Sequence, residues 1–236
     1  MLARCAARYG DETIMEKIFK TIDYKKLYNN CVYSSVVHAV MVGKYPILRS
    51  EQSWDLGNYC FQNLCGGRGT ISFENGYFVG VVRNDENVDY SNYSLSVIDE
   101  LFKGADKKYL YLAEAEALQY LLDEVDRKTL PVITSAFWGS DDGIFSNLTE
   151  EDLLSDCKEM LEPLFMGGED LEEYCKEQYE EMTDEEMSVV NDILVLRKSV
   201  GVTVLPDNIK NRLSDCFEDI SECIESLNEM DIVFES

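Results

Sequence analysis

Residues 70–83 read TISFENGYFVGVVR, and this stretch decides the fold of the chain. It holds two runs rich in β-branched and aromatic residues, separated by the pair Asn75-Gly76. Both residues of an Asn-Gly pair tolerate the positive φ angles of a type I′ turn, so the pair is the strongest short-range signal for a β-hairpin. A third strand-like run, at residues 59–62, precedes the hairpin. The stretch therefore predicts a meander of three antiparallel strands.

Helical patterns flank the meander, with candidate capping residues before several of them. The elements predicted there are helices over residues 11–22, 24–42, 94–102 and 107–127, and a buried strand over residues 132–137. Residues 36–42 are rich in β-branched side chains, which also fit a buried strand. Continuity with the pattern that begins after Asp23 favours a helix for them.

The second half of the chain reads as helical. The predicted elements are helices over residues 149–161, 169–182, 183–201 and 207–230, and a short extended piece over residues 202–205. Thr149 and Thr183 each begin a capping-box pattern. The last helix carries apolar residues in an unbroken heptad repeat from Ile209 to Met230. We favour packing of this repeat inside its own chain, with a homodimer through residues 209–230 as the alternative.

These patterns together predict an α+β fold. We expect an α+β domain over residues 1–146, built on the antiparallel meander, and an acidic, mainly helical region over residues 147–236 that packs on it. The boundary is placed at residues 139–147, where the sequence GSDDG brings turn-forming residues together.

Negative charge is concentrated in the second half of the chain. The 236 residues carry a formal net charge of −25. Residues 1–140 hold 15 basic and 18 acidic side chains, whereas residues 141–236 hold 6 basic and 28 acidic ones. A strongly acidic surface attracts cationic surfaces and repels nucleic acid and anionic lipid. We therefore expect a basic protein partner and no direct binding to nucleic acid or to a membrane.

Other features of the composition narrow the class of protein. No stretch approaches the roughly 18 to 20 apolar residues of a membrane-spanning helix. Acidic residues stand where the hydrophobic core of a secretory signal would lie, so we predict a cytoplasmic protein. The eight cysteines include no Cys-x-x-Cys spacing, and His38 is the single histidine. We therefore expect reduced thiols, no metal site and no cofactor.

Residues 169–186 form the densest acidic cluster, with ten carboxylates against the single Lys176. Like charges four residues apart on a helix lower the stability of that helix. Because the cluster lowers stability, we expect it to serve a function. We predict that the cluster docks a basic partner, as an inhibitor or immunity-type protein would. The predicted docking residues are Glu172, Glu173, Tyr174, Glu177, Tyr179, Glu180, Glu181 and Glu185. The alternative is a solvated surface that only aids solubility.

An enzyme or ligand-binding domain is the competing hypothesis. Any hydrolase mechanism that needs an imidazole must use His38, with Asp55 as a second candidate catalytic residue and Trp54 as a ligand-binding one. Arg68 lies in the sequence GGRG, residues 66–69, where closely spaced glycines could cradle a phosphate, although a hairpin loop is the simpler interpretation. This hypothesis requires the four side chains to converge on one pocket. We favour the non-enzymatic binding protein.

Overall fold

The computed structural model describes residues 17–157, 160–179, 182–198 and 201–235. Some predicted features lie outside these residues: Cys5, one of the eight cysteines expected to be reduced, the docking residues Glu180 and Glu181, and the first part of the helix over residues 11–22. The predicted α+β class is confirmed by one large antiparallel sheet and several helices.

The strands that the structure describes form one large sheet and two small ones. They are β1 (Lys17–Ile18), β2 (Gln52–Asp55), β3 (Asn58–Gln62), β4 (Gly67–Glu74), β5 (Tyr77–Asn84), β6 (Leu122–Val125), β7 (Lys128–Pro131), β8 (Ser135–Ser140), β9 (Gly143–Phe145), β10 (Thr203–Leu205) and β11 (Ile232–Phe234). The large sheet has the order β1-β9-β8-β5-β4-β3-β2, with antiparallel neighbours throughout. Strands β6 and β7 form an antiparallel hairpin, and β10 pairs with β11 in parallel.

The helices are distributed over both halves of the chain. They are α1 (Tyr24–Met41), α2 (Ser96–Leu101), α3 (Lys107–Ala115), α4 (Glu150–Asp156), α5 (Gly168–Gln178), α6 (Asp184–Leu196), α7 (Asp207–Cys216) and α8 (Ser221–Asn228). Short 3-10 helices cover Pro46–Glu51, Ala117–Leu121 and Glu162–Phe165. Within the described ranges, no helix is long and apolar enough to cross a bilayer.

The central hairpin is formed as the sequence predicts. Asn75 and Gly76 both have positive φ angles, 42° and 88°, which a type I′ turn requires. Glu74 pairs with Tyr77 across the turn, and the ladder continues to Gly67 opposite Asn84. The meander of three antiparallel strands, β3, β4 and β5, is therefore confirmed.

Side chains that alternate along these strands build two cores, one on each face of the sheet. Ile71, Phe78 and Phe137 point to one face, where they share a core with α1 and with apolar residues of α4 to α8. Val79 and Trp138 point to the other face, where α2, α3 and the 3-10 helix over residues 117–121 cover them. The acidic helical part of the chain thus packs mainly on the face that α1 occupies.

Helix α1 confirms the helical interpretation of residues 36–42 up to Met41. Asp23 caps its first turn by accepting a hydrogen bond from the Lys26 amide at 2.8 Å. All of residues 36–41 are buried. A helix surrounded by protein needs apolar side chains on every face, so its β-branched content follows from burial and does not indicate a strand.

Both capping predictions in the second half are also confirmed. The Thr149 side chain accepts from the Asp152 amide at the start of α4. At the start of α6, the Thr183 hydroxyl accepts from the Glu186 amide at 3.2 Å, and the Glu186 carboxylate accepts from the Thr183 amide at 2.6 Å. The latter is a complete capping box.

Two predictions about the first half are wrong, and a third needs new bounds. Lys17 and Ile18 form strand β1 against β9, so no helix runs through residues 17–22. The helix predicted to reach Arg127 ends at Ala115, because the chain then forms a 3-10 helix and the β6-β7 hairpin. The predicted buried strand over residues 132–137 is formed, with its bounds shifted to Ser135–Ser140.

The heptad repeat is interrupted in the structure. Phe217 has extended backbone angles, φ −134° and ψ 143°, and separates α7 from α8. Ile209, Leu213, Cys223 and Leu227 are all buried in the chain's own core. The preferred packing inside one chain is confirmed, and the single continuous helix is wrong. A homodimer would have to use other surfaces of residues 209–230.

Candidate functional site

The four residues of the enzyme hypothesis lie on opposite faces of the large sheet. Trp54 in β2 points to the α1 face and lines a small cavity together with His38. Asp55, the next residue of the strand, points to the other face, where it lines a cleft of about 230 Å³ with Arg68. Adjacent residues of a strand project in opposite directions, so no pocket can collect all four side chains. The convergence that the enzyme hypothesis requires is absent.

His38 is sealed inside the fold. It is 1% exposed, and its Nδ1 lies 2.8 Å from the Tyr179 hydroxyl. Burial lowers the pKa of His38 to about 4, against the smaller opposing effect of the Arg49 and Leu48 carbonyls. These carbonyls lie near the ring, but Nε2 forms no hydrogen bond of normal geometry with any described residue. The imidazole is therefore neutral and inaccessible at pH 7, which suits a structural residue better than a catalytic base.

The other three residues also have structural partners. The Trp54 indole nitrogen donates to the Ser35 hydroxyl at 2.7 Å. Tyr120 donates to Asp55 Oδ2 at 2.7 Å, and Arg68 donates to Asp85 at 3.2 Å. Gly67 and Gly69 belong to strand β4, and their backbone takes part in the sheet. The predicted hairpin loop at residues 66–69 is therefore shifted to the residues before Gly67, and the phosphate cradle is wrong.

Helix α5 carries the predicted docking cluster. Leu171 and Cys175 bury one side of the helix in the core. Five carboxylates occupy the rest of the helix surface, which we call the acidic face of α5, with the half-buried Glu172 at its edge: Glu169, Asp170, Glu172, Glu173 and Glu177. Glu172 forms an i,i+4 ion pair with Lys176 at 2.7 Å. Among the described residues, the other four carboxylates form no ion pair within 4 Å, and all four are exposed.

Two other carboxylates of the cluster are already paired. Glu185, in the first turn of α6, accepts from Arg212 at 2.6 Å. Glu186 is buried in the capping box and lies 3.7 Å from the Lys44 ammonium. Glu185 therefore contributes less free negative charge to a docking surface than the acidic face of α5.

The two tyrosines of the cluster do not lie on the docking surface as predicted. Tyr179 is 4% exposed, stacks on Tyr45 and hydrogen-bonds to His38. Its large apolar ring follows Leu171 and Cys175 at helical spacing, so it completes the buried side of the helix. Tyr174 is half-buried and lines a cleft between α5 and the sheet. Tyr179 is therefore a core residue, and Tyr174 belongs to the cleft.

This cleft, which we call the α5 cleft, has a volume of about 220 Å³. It lies where α5 meets α1, β3, the 3-10 helix over residues 46–51 and the one over residues 162–165. Its lining includes Ser34, Glu51, Gln52, Tyr59, Phe61, Gln62, Tyr174, Cys175, Gln178 and Tyr179. Ser34, Glu51 and Cys175 were not singled out from the sequence, because only the tertiary packing of distant segments brings them together.

The buried Cys175 thiol does not lie in a catalytic environment. Burial raises the pKa of the Cys175 thiol to about 12, which disfavours the nucleophilic thiolate. The cysteines that the structure describes are not joined in disulfides. The described part of the chain also contains no cluster of three side chains that could hold a metal ion. No protein-family model, curated protein or solved structure matches the chain. Its function is therefore inferred from geometry and charge.

Proposed function

We propose that this chain is a non-enzymatic binding protein that presents the acidic face of α5 to a basic protein partner, as an inhibitor or immunity-type protein would. One observation supports the proposal most strongly. Glu173 and Glu177 lie four residues apart on one side of the helix, are both exposed, and form no ion pair within the described part of the chain. Like charges at this spacing destabilise a helix by a few tenths of a kcal/mol.

The helix dipole accounts for two carboxylates of α5 but not for Glu173 and Glu177. Glu169 and Asp170 lie in the first turn of α5, where the partial positive charge of the helix end stabilises an anion. Glu177 lies in the last turn, where the same dipole disfavours a negative charge. Local stability therefore explains the first two side chains and leaves Glu173 and Glu177 for another role, such as contact with a cationic surface.

The charge of the face selects the class of partner. Carboxylates on a rim steer a cationic protein toward the surface and raise its association rate. The same field repels nucleic acid and anionic lipid. If the partner is a basic protein that acts on nucleic acid, the carboxylates of α5 would occupy the positions that phosphates of the nucleic acid take on its surface. We propose that the two proteins meet in the cytoplasm.

Affinity capture with matched variants tests the proposal. The test variant is Glu172→Gln, Glu173→Gln and Glu177→Gln, which keeps the helix because Gln and Glu have nearly equal helix propensity. The control variant is Glu100→Gln, Glu114→Gln and Glu124→Gln, which removes the same charge at exposed sites in the segment that packs on the opposite face of the sheet. Proteins retained from the native cell extract are identified by mass spectrometry at low and high salt.

We expect a basic protein to be retained by the wild type and the control variant at low salt, and to be lost by the test variant. Retention of the same proteins by all three forms would contradict the proposal. In that case the acidic face of α5 would serve solubility only.

A further inference from the structure

The α5 cleft lies directly beside the acidic face of α5. Tyr174 and Gln178, which line the cleft, are neighbours one turn apart on the helix. Asp170 and Glu177 lie four and three residues from Tyr174, so they flank the cleft on the solvent side of the same helix. A partner held on the acidic face would therefore extend over the mouth of the cleft.

The lining of the cleft suits a cation. Glu51 contributes a carboxylate, and burial raises the pKa of that group. Tyr59, Phe61 and Tyr174 contribute aromatic rings, whose faces attract cations. Among the described residues, those that line the cleft include no Lys, Arg or His side chain. An anionic ligand would meet no positive charge there.

Ser34 provides an independent indication of a ligand. Its side chain lines the cleft and is only 7% exposed. The Ser34 hydroxyl contacts the Cys175 thiol. This contact lowers the pKa of the thiol, although burial raises that pKa by more. That weak contact with sulfur is the one partner of the Ser34 hydroxyl, which forms no hydrogen bond of normal geometry within the described ranges. Buried hydroxyl groups are usually hydrogen-bonded, because leaving one unpaired costs about 1–3 kcal/mol.

The size of the cleft indicates a side chain as the ligand. Its volume of about 220 Å³ is smaller than the roughly 300–1,000 Å³ of pockets that hold drug-sized molecules. It is much larger than the roughly 10–15 Å³ that a single water requires. One long side chain of a docked protein fits between these limits.

We propose that the α5 cleft binds the guanidinium group of an arginine side chain from the basic partner. This inference rests on the proposed function, since it names the partner residue that enters beside the acidic face. A guanidinium is planar and stacks on tyrosine rings, and its five N–H donors can reach a carboxylate, a hydroxyl and amide oxygens together. A lysine ammonium is more strongly hydrated and lacks the planar fork, so it fits this lining less well.

A pair of small probes tests the chemistry of the cleft. N-acetyl-arginine methylamide carries the guanidinium, and N-acetyl-citrulline methylamide is its uncharged isostere. Each is titrated into the ¹⁵N-labelled full chain at pH 7 and followed by NMR. We expect the arginine probe to shift amide signals of cleft residues such as Gln178 and Gln62, and the citrulline probe to leave them unchanged at the same concentration. Equal binding of both probes, or binding of neither, would overturn the proposal.

A substitution in the cleft tests the role of Glu51. We expect Glu51→Gln to weaken binding of the arginine probe about tenfold, the effect of losing one charge-assisted hydrogen bond. Glu100→Gln, at an exposed site in the segment covering the opposite face of the sheet, serves as the control and should leave binding unchanged. Unaltered affinity in a folded Glu51→Gln variant would show that the carboxylate does not hold the guanidinium.

The same variants separate this inference from the proposed function. If the captured partner is lost by the Glu172, Glu173 and Glu177 variant but binds Glu51→Gln normally, the acidic face docks the partner and the arginine site is refuted. If the arginine probe binds the cleft and needs Glu51, but the partner binds the triple variant normally, the cleft is a guanidinium site and the proposed function fails.

Discussion

Tyr179 and His38 are joined by a 2.8 Å hydrogen bond between the phenolic oxygen and Nδ1, at a point where both side chains are buried. Burial raises the pKa of the tyrosine and lowers that of the histidine, so the bond joins a neutral phenol to a neutral imidazole. The bond ties the residue that follows α5 to α1. The acidic face of α5 is therefore presented on a helix anchored to the core at this end.

The titration of His38 is the first prediction. Its pKa, about 4 in the folded chain against 6.5 for an unperturbed histidine, lies below the unfolded value. As pH falls, His38 is therefore protonated in the unfolded chain before it is protonated in the folded one. The free energy of unfolding decreases between about pH 6.5 and pH 4, by about 3 kcal/mol in all. Because His38 is the single histidine, its imidazole signals in a proton NMR spectrum are unambiguous.

We expect those signals to stay constant from pH 8 to pH 5.5 while the chain remains folded. A titration with a midpoint near 6.5 would show that the imidazole is in contact with water, and would contradict the buried pair with Tyr179.

Two glycines with equally open surroundings give the second prediction. An added Cβ at Gly76 or at Gly168 would meet no atom within 4 Å. Gly76 has a φ of 88° in the central turn, whereas Gly168 begins helix α5. We expect Gly76→Ala to lower the free energy of unfolding by about 1–2 kcal/mol, and Gly168→Ala to raise it by up to about 1 kcal/mol.

Urea denaturation of the two variants beside the wild type measures both effects. Equal changes in the same direction would mean that the turn conformation at Asn75-Gly76 does not control the stability of the sheet.

Local signals account for the parts of the fold that the sequence predicts correctly. The Asn75-Gly76 turn and the caps at Asp23, Thr149 and Thr183 each depend on a few neighbouring residues. Such signals are present in the sequence itself because the side chain and the backbone group that it satisfies are only two or three residues apart.

One error comes from contacts between distant segments. Gly43 leaves space at the end of α1, where an added Cβ would meet the Phe217 ring at 2.6 Å and Cys223 Sγ at 2.8 Å. This close approach accompanies the break between α7 and α8, which a heptad repeat cannot reveal. A second error is local: the turn between β6 and β7, at Asp126 and Arg127, adopts φ angles of 50° and 64° without a glycine. No turn residue of the usual kind therefore indicates that a hairpin occupies the second half of the predicted helix.

The site was predictable only in part. Glu173 and Glu177 are exposed as the sequence predicts, because the charged side of an amphipathic helix faces solvent. The α5 cleft joins Ser34, Glu51 and Cys175 from three separate segments, and no spacing along the chain links them.

The interrupted repeat yields the third prediction. Leu213 is fully buried in the core of its own chain. We expect Leu213→Glu to abolish the cooperative unfolding transition seen by circular dichroism, because a buried carboxylate without a partner is strongly destabilising. Light scattering should show the same oligomeric state for the wild type over a wide range of concentrations. If Leu213→Glu converts a dimer into a folded monomer, residues 209–230 form an interface between two copies.

Association kinetics test the central claim most directly. The captured basic partner is mixed with the wild type, the Glu172, Glu173 and Glu177 variant, and the Glu100, Glu114 and Glu124 control, and the association rate constant is measured by stopped flow as salt is raised. We predict that the α5 variant associates several-fold more slowly than the wild type and the control at low salt, with unfolding free energies that stay within about 0.5 kcal/mol of each other. The difference should shrink toward physiological salt and above, where screening acts over about 8 to 10 Å. Equal rates for all three forms at low salt would contradict the account, since the acidic face of α5 would then play no part in binding.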